Sequence, residues 1–187
     1  MTKAEIRLKY RHLRSLLTED DIRLNSIAIA DNFANLDIWD KTYFHVFLPI
    51  TNFKEVDTSY IIDLLRENKK EIIASKSNFD TMEMTHFLTD DKTTFLVNKY
   101  NITEPENAES INIEKIEVVL VPLLAFDKNG HRVGYGKGFY DRFMLQCNSE
   151  CIFIGLSFFD AEELIENIAP NDCKLNYCML PAEIISF

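Results

Sequence analysis

The sequence predicts a three-layer α/β/α domain whose mainly parallel sheet is covered by helices on both faces. Apolar, strand-like runs alternate along the chain with segments of helical periodicity, which is the order that produces parallel sheets. The run 118–121 is continuous and β-branched, as strands buried on both faces are. With 187 residues, 47% hydrophobic and 27% charged, and no repeat or linker, the chain is expected to form one domain over residues 1–187.

Two helices are predicted at the beginning of the chain. Thr2 and Glu5 have the spacing of a capping box, and the apolar residues that follow recur at helical spacing. Thr18 caps a second helix that ends near residue 35. The face of the first helix beside its apolar side carries a cationic stripe: Lys3, Arg7, Arg11 and Arg14. Such a stripe is often only a solvated helix face, so it indicates a binding surface only in combination with other features.

The remaining elements are predicted from β-branched and aromatic runs, from helical periodicity, and from the prolines and polar residues that separate them. In chain order they are a strand at 42–48, a helix from Asp57 and Thr58 to residue 69, strands at 71–74 and 82–88, a loop at 104–112, a strand at 118–121, a glycine-rich loop at 123–137, a helix at 139–145, a strand at 151–155, a short helix at 161–166 and a strand at 184–187.

Charge and cysteine content exclude several classes of protein. The net charge of −10 argues against a basic surface for nucleic acid, so any local group of cations becomes informative. The four cysteines are spaced as C-x3-C and C-x4-C, which does not match common zinc patterns. The first residues are charged rather than apolar, and no membrane span is visible. We therefore expect a cytoplasmic protein with free thiols, which acts on small molecules rather than nucleic acid or membrane, and a monomer.

The most informative segment precedes the helix at 139–145. Gly134, Gly136 and Gly138 alternate there, and glycine allows both a left-handed backbone and the close approach of a ligand. The N-terminus of the following helix offers unpaired N–H groups to a phosphate. Arg132 and Lys137 add positive charge, and Asp141 could hold Mg²⁺ through its oxygen atoms.

This segment matches neither the P-loop pattern nor the Rossmann fingerprint, which disfavours a P-loop kinase and a Rossmann dehydrogenase. A tight structural turn remains the alternative to a phosphate site. Glu55 and Asp57 could likewise be ordinary acids at a helix N-terminus, and Asp172 a turn residue after Pro170.

The same segment resembles the signature of the 5-formyltetrahydrofolate cyclo-ligases. That signature is a strand ending in proline, Gly/Ala-Phe-Asp, Gly-x-Arg and Gly-x-Gly-Lys-Gly-[Tyr/Phe]-Tyr-Asp, and its counterparts here are Pro122, Ala125-Phe126-Asp127, Gly130, Arg132, Gly134, Gly136-Lys137-Gly138 and Phe139-Tyr140-Asp141. Further family elements are matched by Lys3, Arg7 and Arg11, by Phe47-Leu48 and Glu55-Val56-Asp57-Thr58, by Ile102-Thr103-Glu104-Pro105, and by Pro170-Asn171-Asp172. The resemblance thus extends over the whole chain.

The resemblance implies a fold similar to that of the sugar-phosphate isomerases and CoA-transferases, and an ATP- and Mg²⁺-dependent ring closure of 5-formyltetrahydrofolate to the 5,10-methenyl compound. It implies ATP contacts at Lys3, Arg7, Arg11, Arg132, Gly134, Gly136, Lys137, Gly138, Phe139 and Tyr140. It implies folate contacts at Leu48, Glu55, Tyr135, Gly136, Lys137, Gly138 and Phe139, and Mg²⁺ ligands at Asp141 and Asp172. Catalytic roles fall to Tyr140, Lys137 and Arg132.

Three positions depart from the family pattern. Ser75-Lys76 stands where proline followed by a basic residue is common, Asn176 replaces a second late aspartate, and Phe139 stands where tyrosine is commoner. Two other functions stay open: an isomerase or transferase with a glycine-rich phosphate loop and no ATP dependence, and a protein that binds folate or nucleotide without turnover.

Overall fold

The computed structural model describes all 187 residues. Its helices are α1 (Lys3–Leu16), α2 (Glu19–Ala34), α3 (Ser59–Glu67) and α4 (Phe139–Gln146). Its strands are β1 (Tyr43–His45), β2 (Glu71–Asn78), β3 (Glu83–Thr89), β4 (Phe95–Val97), β5 (Thr103–Pro105), β6 (Glu109–Ser110), β7 (Val118–Pro122), β8 (Ala125–Phe126), β9 (Arg132–Val133), β10 (Ile152–Leu156), β11 (Tyr177–Met179) and β12 (Ile184–Ser186).

Eight strands form the main sheet in the order β12-β11-β10-β7-β1-β2-β3-β6. The five strands from β11 to β2 are parallel, and antiparallel partners flank them on both sides. The predicted mixed α/β class with a mostly parallel sheet is therefore confirmed. The short ribbons β4-β5 and β8-β9 stand apart from this sheet.

Alternate residues of β7 face opposite sides of the sheet, as the strand period of two requires. Val118 and Leu120 belong to a core cluster with α2 and α3, whereas Val119 and Val121 belong to a cluster with α4. Helix α1 lies elsewhere: Ile6 and Tyr10 pack on the β8-β9 ribbon. This placement brings α1 beside the glycine-rich segment that follows β9. No helix combines the length and the apolar character needed to cross a membrane.

The predicted short helix at 161–166 is wrong. Its backbone groups bond to distant segments instead: the N–H of Glu162 donates to the carbonyl of Phe126, and that of Glu166 donates to the carbonyl of Met1. The N–H of Ile165 donates to the carboxylate of Asp127, which is fully buried. These long-range partners replace the bonds of a helical turn.

Other predicted boundaries change as well. Strand β1 stops at His45, short of the predicted residue 48. Strand β2 continues to Asn78 because it pairs with β3 from Ile72 to Asn78. The predicted loop at 104–112 contains the end of β5 and all of β6. At the start of α3, the Thr58 hydroxyl donates to the carbonyl of Phe47 instead of capping the helix.

Candidate active site

A cavity of about 420 Å³ opens beyond the carboxyl ends of β1 and β7, where ligands of parallel sheets bind. Every site residue predicted from the sequence lies on its wall: Lys3, Arg7, Arg11, Leu48, Glu55, Arg132, Gly134, Tyr135, Gly136, Lys137, Gly138, Phe139, Tyr140, Asp141 and Asp172. Residues that are up to 169 positions apart thus share one surface.

Helix α1 contributes the cationic side of the cavity. Lys3, Arg7 and Arg11 follow one another at intervals of four, so that they project from one face of the helix. The Nε atom of Arg7 donates to the carbonyl of Gly134 at 3.0 Å, and Lys3 forms an ion pair with Asp172. The helix is therefore fixed to two other parts of the site.

The glycine loop (residues 134–138) follows this surface. Gly136 and Gly138 have φ angles of +94° and +71°, and Gly138 is the residue immediately before α4. A Cβ atom on Gly136 would lie 3.4 Å from the Arg7 guanidinium, so the absent side chain allows close packing. Gly134 differs, because its φ is not positive and no atom lies within 4 Å of where its Cβ would stand. Lys137 is exposed.

Two carboxylates stand next to these cations. Asp141 Oδ1 accepts a hydrogen bond from Arg132 at 2.7 Å, while Arg132 also donates to the carbonyl of Cys173. Partial burial raises the pKa of Asp172, but bonds from Lys3 and from the N–H of Ala169 outweigh it, so that the pKa is lowered. Each carboxylate retains one oxygen without a hydrogen bond, Oδ2 of Asp141 and Oδ1 of Asp172.

A buried acid also lines the cavity. Glu55 accepts hydrogen bonds from the N–H of Ile50 at 2.7 Å and from the Tyr135 hydroxyl at 2.6 Å. Burial raises the pKa of Glu55 and outweighs these bonds. The ring of Tyr135 stacks on Phe53 at 4.9 Å, so the pair forms a flat surface beside the carboxyl group.

Arg14 holds Phe53 and Tyr135 in place from outside the cavity. It is buried, it does not line the cavity, and it donates to the Tyr135 hydroxyl at 2.7 Å and to the carbonyls of Phe53 and Leu123. The sequence placed Arg14 in the cationic stripe. The one sequence signal that Arg14 faces a different direction is its spacing: it follows Arg11 by three residues, whereas the other cations are four residues apart.

Aromatic side chains complete the mouth of the cavity. Phe79 lies 3.9 Å from Tyr100 and 5.1 Å from Phe139 between ring centres. Tyr140 is half-buried, its hydroxyl makes no hydrogen bond within the protein, and burial raises its pKa. Sequence reasoning missed Phe79 and Tyr100. Phe79 lies just before β3 and Tyr100 just after β4, and no local sequence pattern links the two.

The side chain of Lys76 lies outside the cavity. Its ammonium group pairs with Glu106 at 3.2 Å and lies over the ring of Phe87, and the residue does not line the cavity. Ser75, next to it, does line the cavity.

Comparison with known proteins identifies the family. The model of the 5-formyltetrahydrofolate cyclo-ligase family matches residues 1–179. This chain belongs to the 5-formyltetrahydrofolate cyclo-ligase family. Members of the family are ligases that convert 5-formyltetrahydrofolate to 5,10-methenyltetrahydrofolate in a generally ATP-dependent reaction.

Individual relatives agree with this assignment. A probable 5-formyltetrahydrofolate cyclo-ligase of Schizosaccharomyces pombe is 29% identical over 95% of this chain and 98% of its own length. The cyclo-ligase of Mycoplasma genitalium is 40% identical, but over only 28% of this chain and 32% of its own length. The solved structure of Aquifex aeolicus 5,10-methenyltetrahydrofolate synthetase is 26% identical, with a TM-score of 0.83 over 98% of this chain and 92% of that one. A Mycoplasma pneumoniae synthetase shares the fold at 21% identity, with a TM-score of 0.77, over 97% of this chain and 99% of that one.

Proposed function

We propose that this cyclo-ligase uses ATP and Mg²⁺ to close the ring of 5-formyltetrahydrofolate. The observation that supports the proposal is that α1, the glycine loop, Asp141, Asp172 and Glu55 all line one cavity. The cations and the unpaired N–H groups at the start of α4 suit a triphosphate. The hydrogen-bonding groups of Glu55 and Tyr135 lie beside stacked aromatic rings, which suits a pterin.

The chemistry explains why a phosphate site must adjoin the folate site. The N5-formyl group is amide-like, and the resonance of an amide, with a rotation barrier of about 18–20 kcal/mol, makes its oxygen a poor leaving group. Transfer of the γ-phosphoryl group from ATP to that oxygen gives an iminium phosphate and ADP. N10 then attacks the formyl carbon, N10 loses its proton, and inorganic phosphate departs from the carbon, which leaves the 5,10-methenyl bridge.

The residues on the cavity wall would act mainly by positioning and by neutralising charge, as is general for phosphoryl transfer. Lys3, Arg7, Arg11 and Lys137 would hold the phosphates, and Arg132 would orient Asp141 as well as contribute charge. Tyr140 has a free hydroxyl for the formyl oxygen or the transferred phosphoryl group.

The residues present fit a Mg²⁺ ion shared with the phosphates. No group of three or more His, Cys, Asp or Glu side chains could form a complete protein site, but Asp141 and Asp172 each retain a free carboxylate oxygen on the cavity wall. Mg²⁺ is commonly bound by one or two carboxylates together with substrate phosphates. When bound, the ion would supply further neutralisation of phosphate charge.

A spectrophotometric assay tests the proposal. Purified protein, 5-formyltetrahydrofolate, ATP and Mg²⁺ should produce the ultraviolet absorbance of the methenyl product, and omission of ATP or of Mg²⁺ should abolish it. Binding of the folate without turnover would instead favour a non-catalytic binding protein. Turnover of a phosphorylated sugar without ATP would favour the isomerase alternative.

Lys137→Ala tests the phosphate role of the glycine loop. Because the Lys137 side chain is exposed and has no partner in the protein, its removal should leave the thermal unfolding temperature unchanged. The KM for ATP should rise by about ten-fold, the scale of one hydrogen bond to a charged group. Lys128→Ala, which removes an exposed lysine outside the cavity, is the matched control. An unchanged ATP KM and kcat would exclude this role for Lys137.

The remaining expectations stay predictions. A monomer should elute at a volume corresponding to 21.8 kDa in size-exclusion chromatography. All four cysteines are free in the structure, which is the form expected of a protein in the cytoplasm. The partners we expect are 5-formyltetrahydrofolate and ATP alone, without nucleic acid or membrane.

A further inference from the structure

Three polar side chains form a hydrogen-bonded row across β1, β2 and β3, which we call the His–Ser–His network (His45, Ser75 and His86). Ser75 Oγ lies 2.8 Å from His45 Nε2 and 2.8 Å from His86 Nδ1. Ser75 and His86 are directly opposite each other in the pairing of β2 with β3. His45 and Ser75 line the cavity, and both imidazole rings pack on Phe143 of α4.

The hydrogen bonds of this network leave one buried nitrogen without a partner. Ser75 has a single hydroxyl proton, so it donates to one imidazole and accepts from the other. Whichever imidazole receives the Ser75 proton, His45 Nε2 is occupied by its bond with Ser75. His45 Nδ1 is a buried atom with no hydrogen-bond partner in the protein. The His45 residue is only 1% exposed. An unpaired buried polar group destabilises the folded protein, so the protein gains stability when a ligand supplies the partner.

The surroundings of His45 select an uncharged partner. Burial, followed by the proximity of His86, lowers the pKa of His45 well below its usual value, and burial lowers that of His86 to about 4. Both rings are therefore neutral near pH 7. The ring of Tyr140, which also lines the cavity, lies 6.0 Å from that of His45 between ring centres. A neutral ring nitrogen suits an uncharged polar group of a ring system. A phosphate would instead be bound by the cations of α1 and the glycine loop.

We propose that His45 Nδ1 hydrogen-bonds an uncharged polar group of the bound folate ring system, and that Ser75 and His86 hold the imidazole in position for this contact. The inference rests on the proposed function, because it takes the folate as the second substrate.

Two substitutions of His45 separate its two nitrogens. His45→Gln places its amide near the Nε2 position, so it retains a partner for Ser75 and loses the Nδ1 group. His45→Asn places its amide near the Nδ1 position and gives up the bond to Ser75. His12→Gln is the matched control, because His12 is exposed and does not line the cavity.

The measurement is the calorimetric affinity of each protein for 5-formyltetrahydrofolate without ATP and, separately, for ATP with Mg²⁺. His45→Gln should bind the folate about ten-fold more weakly, whereas His45→Asn should stay within about three-fold of the wild type. ATP affinity should not change in either variant. Equal folate affinity of wild type and His45→Gln would overturn the inference, as would equal losses in both variants or a parallel loss of ATP affinity.

A second measurement needs no substitution in the network and therefore does not depend on the folding of a variant. In wild-type protein with ¹⁵N-labelled histidine rings, addition of 5-formyltetrahydrofolate should shift the His45 Nδ1 resonance and leave that of His12 in place. No shift on saturation would reject the contact while the turnover assay still supports the cyclo-ligase reaction. If wild-type protein neither binds nor converts the folate, the proposed function and this inference both fail.

Discussion

Gly134 and Gly138 lie four residues apart and differ in backbone conformation and in the space around them. Gly138 has a left-handed backbone, and a Cβ there would approach the Arg142 guanidinium to 3.2 Å. Gly134 has neither restriction, so nothing in the folded protein itself requires glycine at this position. Gly134 lines the cavity, so a methyl group at this position would take up space that a ligand could otherwise occupy.

The two glycines therefore predict opposite effects of alanine. Gly134→Ala should leave the thermal unfolding temperature unchanged and raise the KM for ATP, because its methyl group would occupy cavity space. Gly138→Ala should lower the free energy of unfolding by about 1–2 kcal/mol, the cost of a left-handed conformation with a Cβ. Thermal unfolding and steady-state kinetics of both variants check this. Equal destabilisation by the two substitutions would contradict it.

Glu55 predicts a dependence of stability on pH. Because burial raises its folded-state pKa above the usual 4.5, the native state binds more protons than the unfolded state above that pH, and stability decreases as pH rises through the folded-state pKa. Glu55→Gln removes this titration. The free energy of unfolding of the wild type, relative to the variant, should fall between pH 4.5 and neutral pH in urea unfolding experiments. A constant difference would show that Glu55 titrates normally.

Individual site residues are predictable where a motif includes them. The glycine loop, Arg132 and Asp141 are close in sequence, so their composition by itself predicts a phosphate site, with a tight structural turn as the alternative. The roles of Arg14, Ser75 and His86 are not predictable in this way, because they arise from contacts between strands and helices that the sequence does not specify. Aromatic residues at the mouth of the cavity likewise meet only in the folded protein.

At the scale of elements, α1 is both a structural and a functional unit. Its capping box is complete: the N–H of Glu5 donates to the Thr2 hydroxyl at 3.3 Å, and the N–H of Thr2 donates to the Glu5 carboxylate at 2.8 Å. Lys3 follows directly, so the cap fixes the first cation of the cavity. Helix α2 has an equivalent box at Thr18 and Asp21, but α2 does not reach the cavity.

The two boxes provide a matched experiment. Thr2→Ala and Thr18→Ala should each lower the free energy of unfolding by about 1 kcal/mol, the usual effect of losing a helix cap. Only Thr2→Ala should also raise the KM for ATP, since only α1 carries the cations that we propose bind ATP. Chemical denaturation and kinetics of both variants would check this. A similar KM change in Thr18→Ala would mean that global stability, rather than the position of Lys3, controls the kinetics.

Elements are predictable when local pattern and tertiary contacts agree. The run in β7 and the capping boxes of α1 and α2 form where they are expected. The segment 161–166 has helical composition, but Asp127 and the residues near Met1 and Phe126 accept its backbone bonds. Three short strands, β4, β5 and β6, depend on partners rather than on their own composition, and the sequence therefore suggests a loop in this region.

For the whole molecule, charge is distributed unevenly. The net charge is −10, yet Lys3, Arg7, Arg11, Arg132 and Lys137 surround one cavity. An anionic nucleotide therefore encounters a local attraction on an otherwise repulsive surface, and salt should weaken both interactions.

Raising the ionic strength from about 0.1 M to about 1 M shortens the Debye length from about 10 Å to about 3 Å. The dissociation constant for ATP should increase over this range in calorimetric titrations with a chloride salt at fixed free Mg²⁺. The loss should be smaller in Lys137→Ala, which has one exposed cation fewer. Salt-independent binding would indicate that the cations of the cavity contribute little to affinity.

The ion pair between Lys3 and Asp172 also has a consequence for how the protein acquires its activity. It joins residues 169 positions apart in a chain of 187, so the proposed nucleotide site stays incomplete until Asp172 has been synthesised. ATP can therefore stabilise only the finished fold, by about 2.7 kcal/mol at a hundred times its dissociation constant. Cellular nucleotide would act after folding, by protecting completed molecules from unfolding and proteolysis rather than by guiding a nascent one.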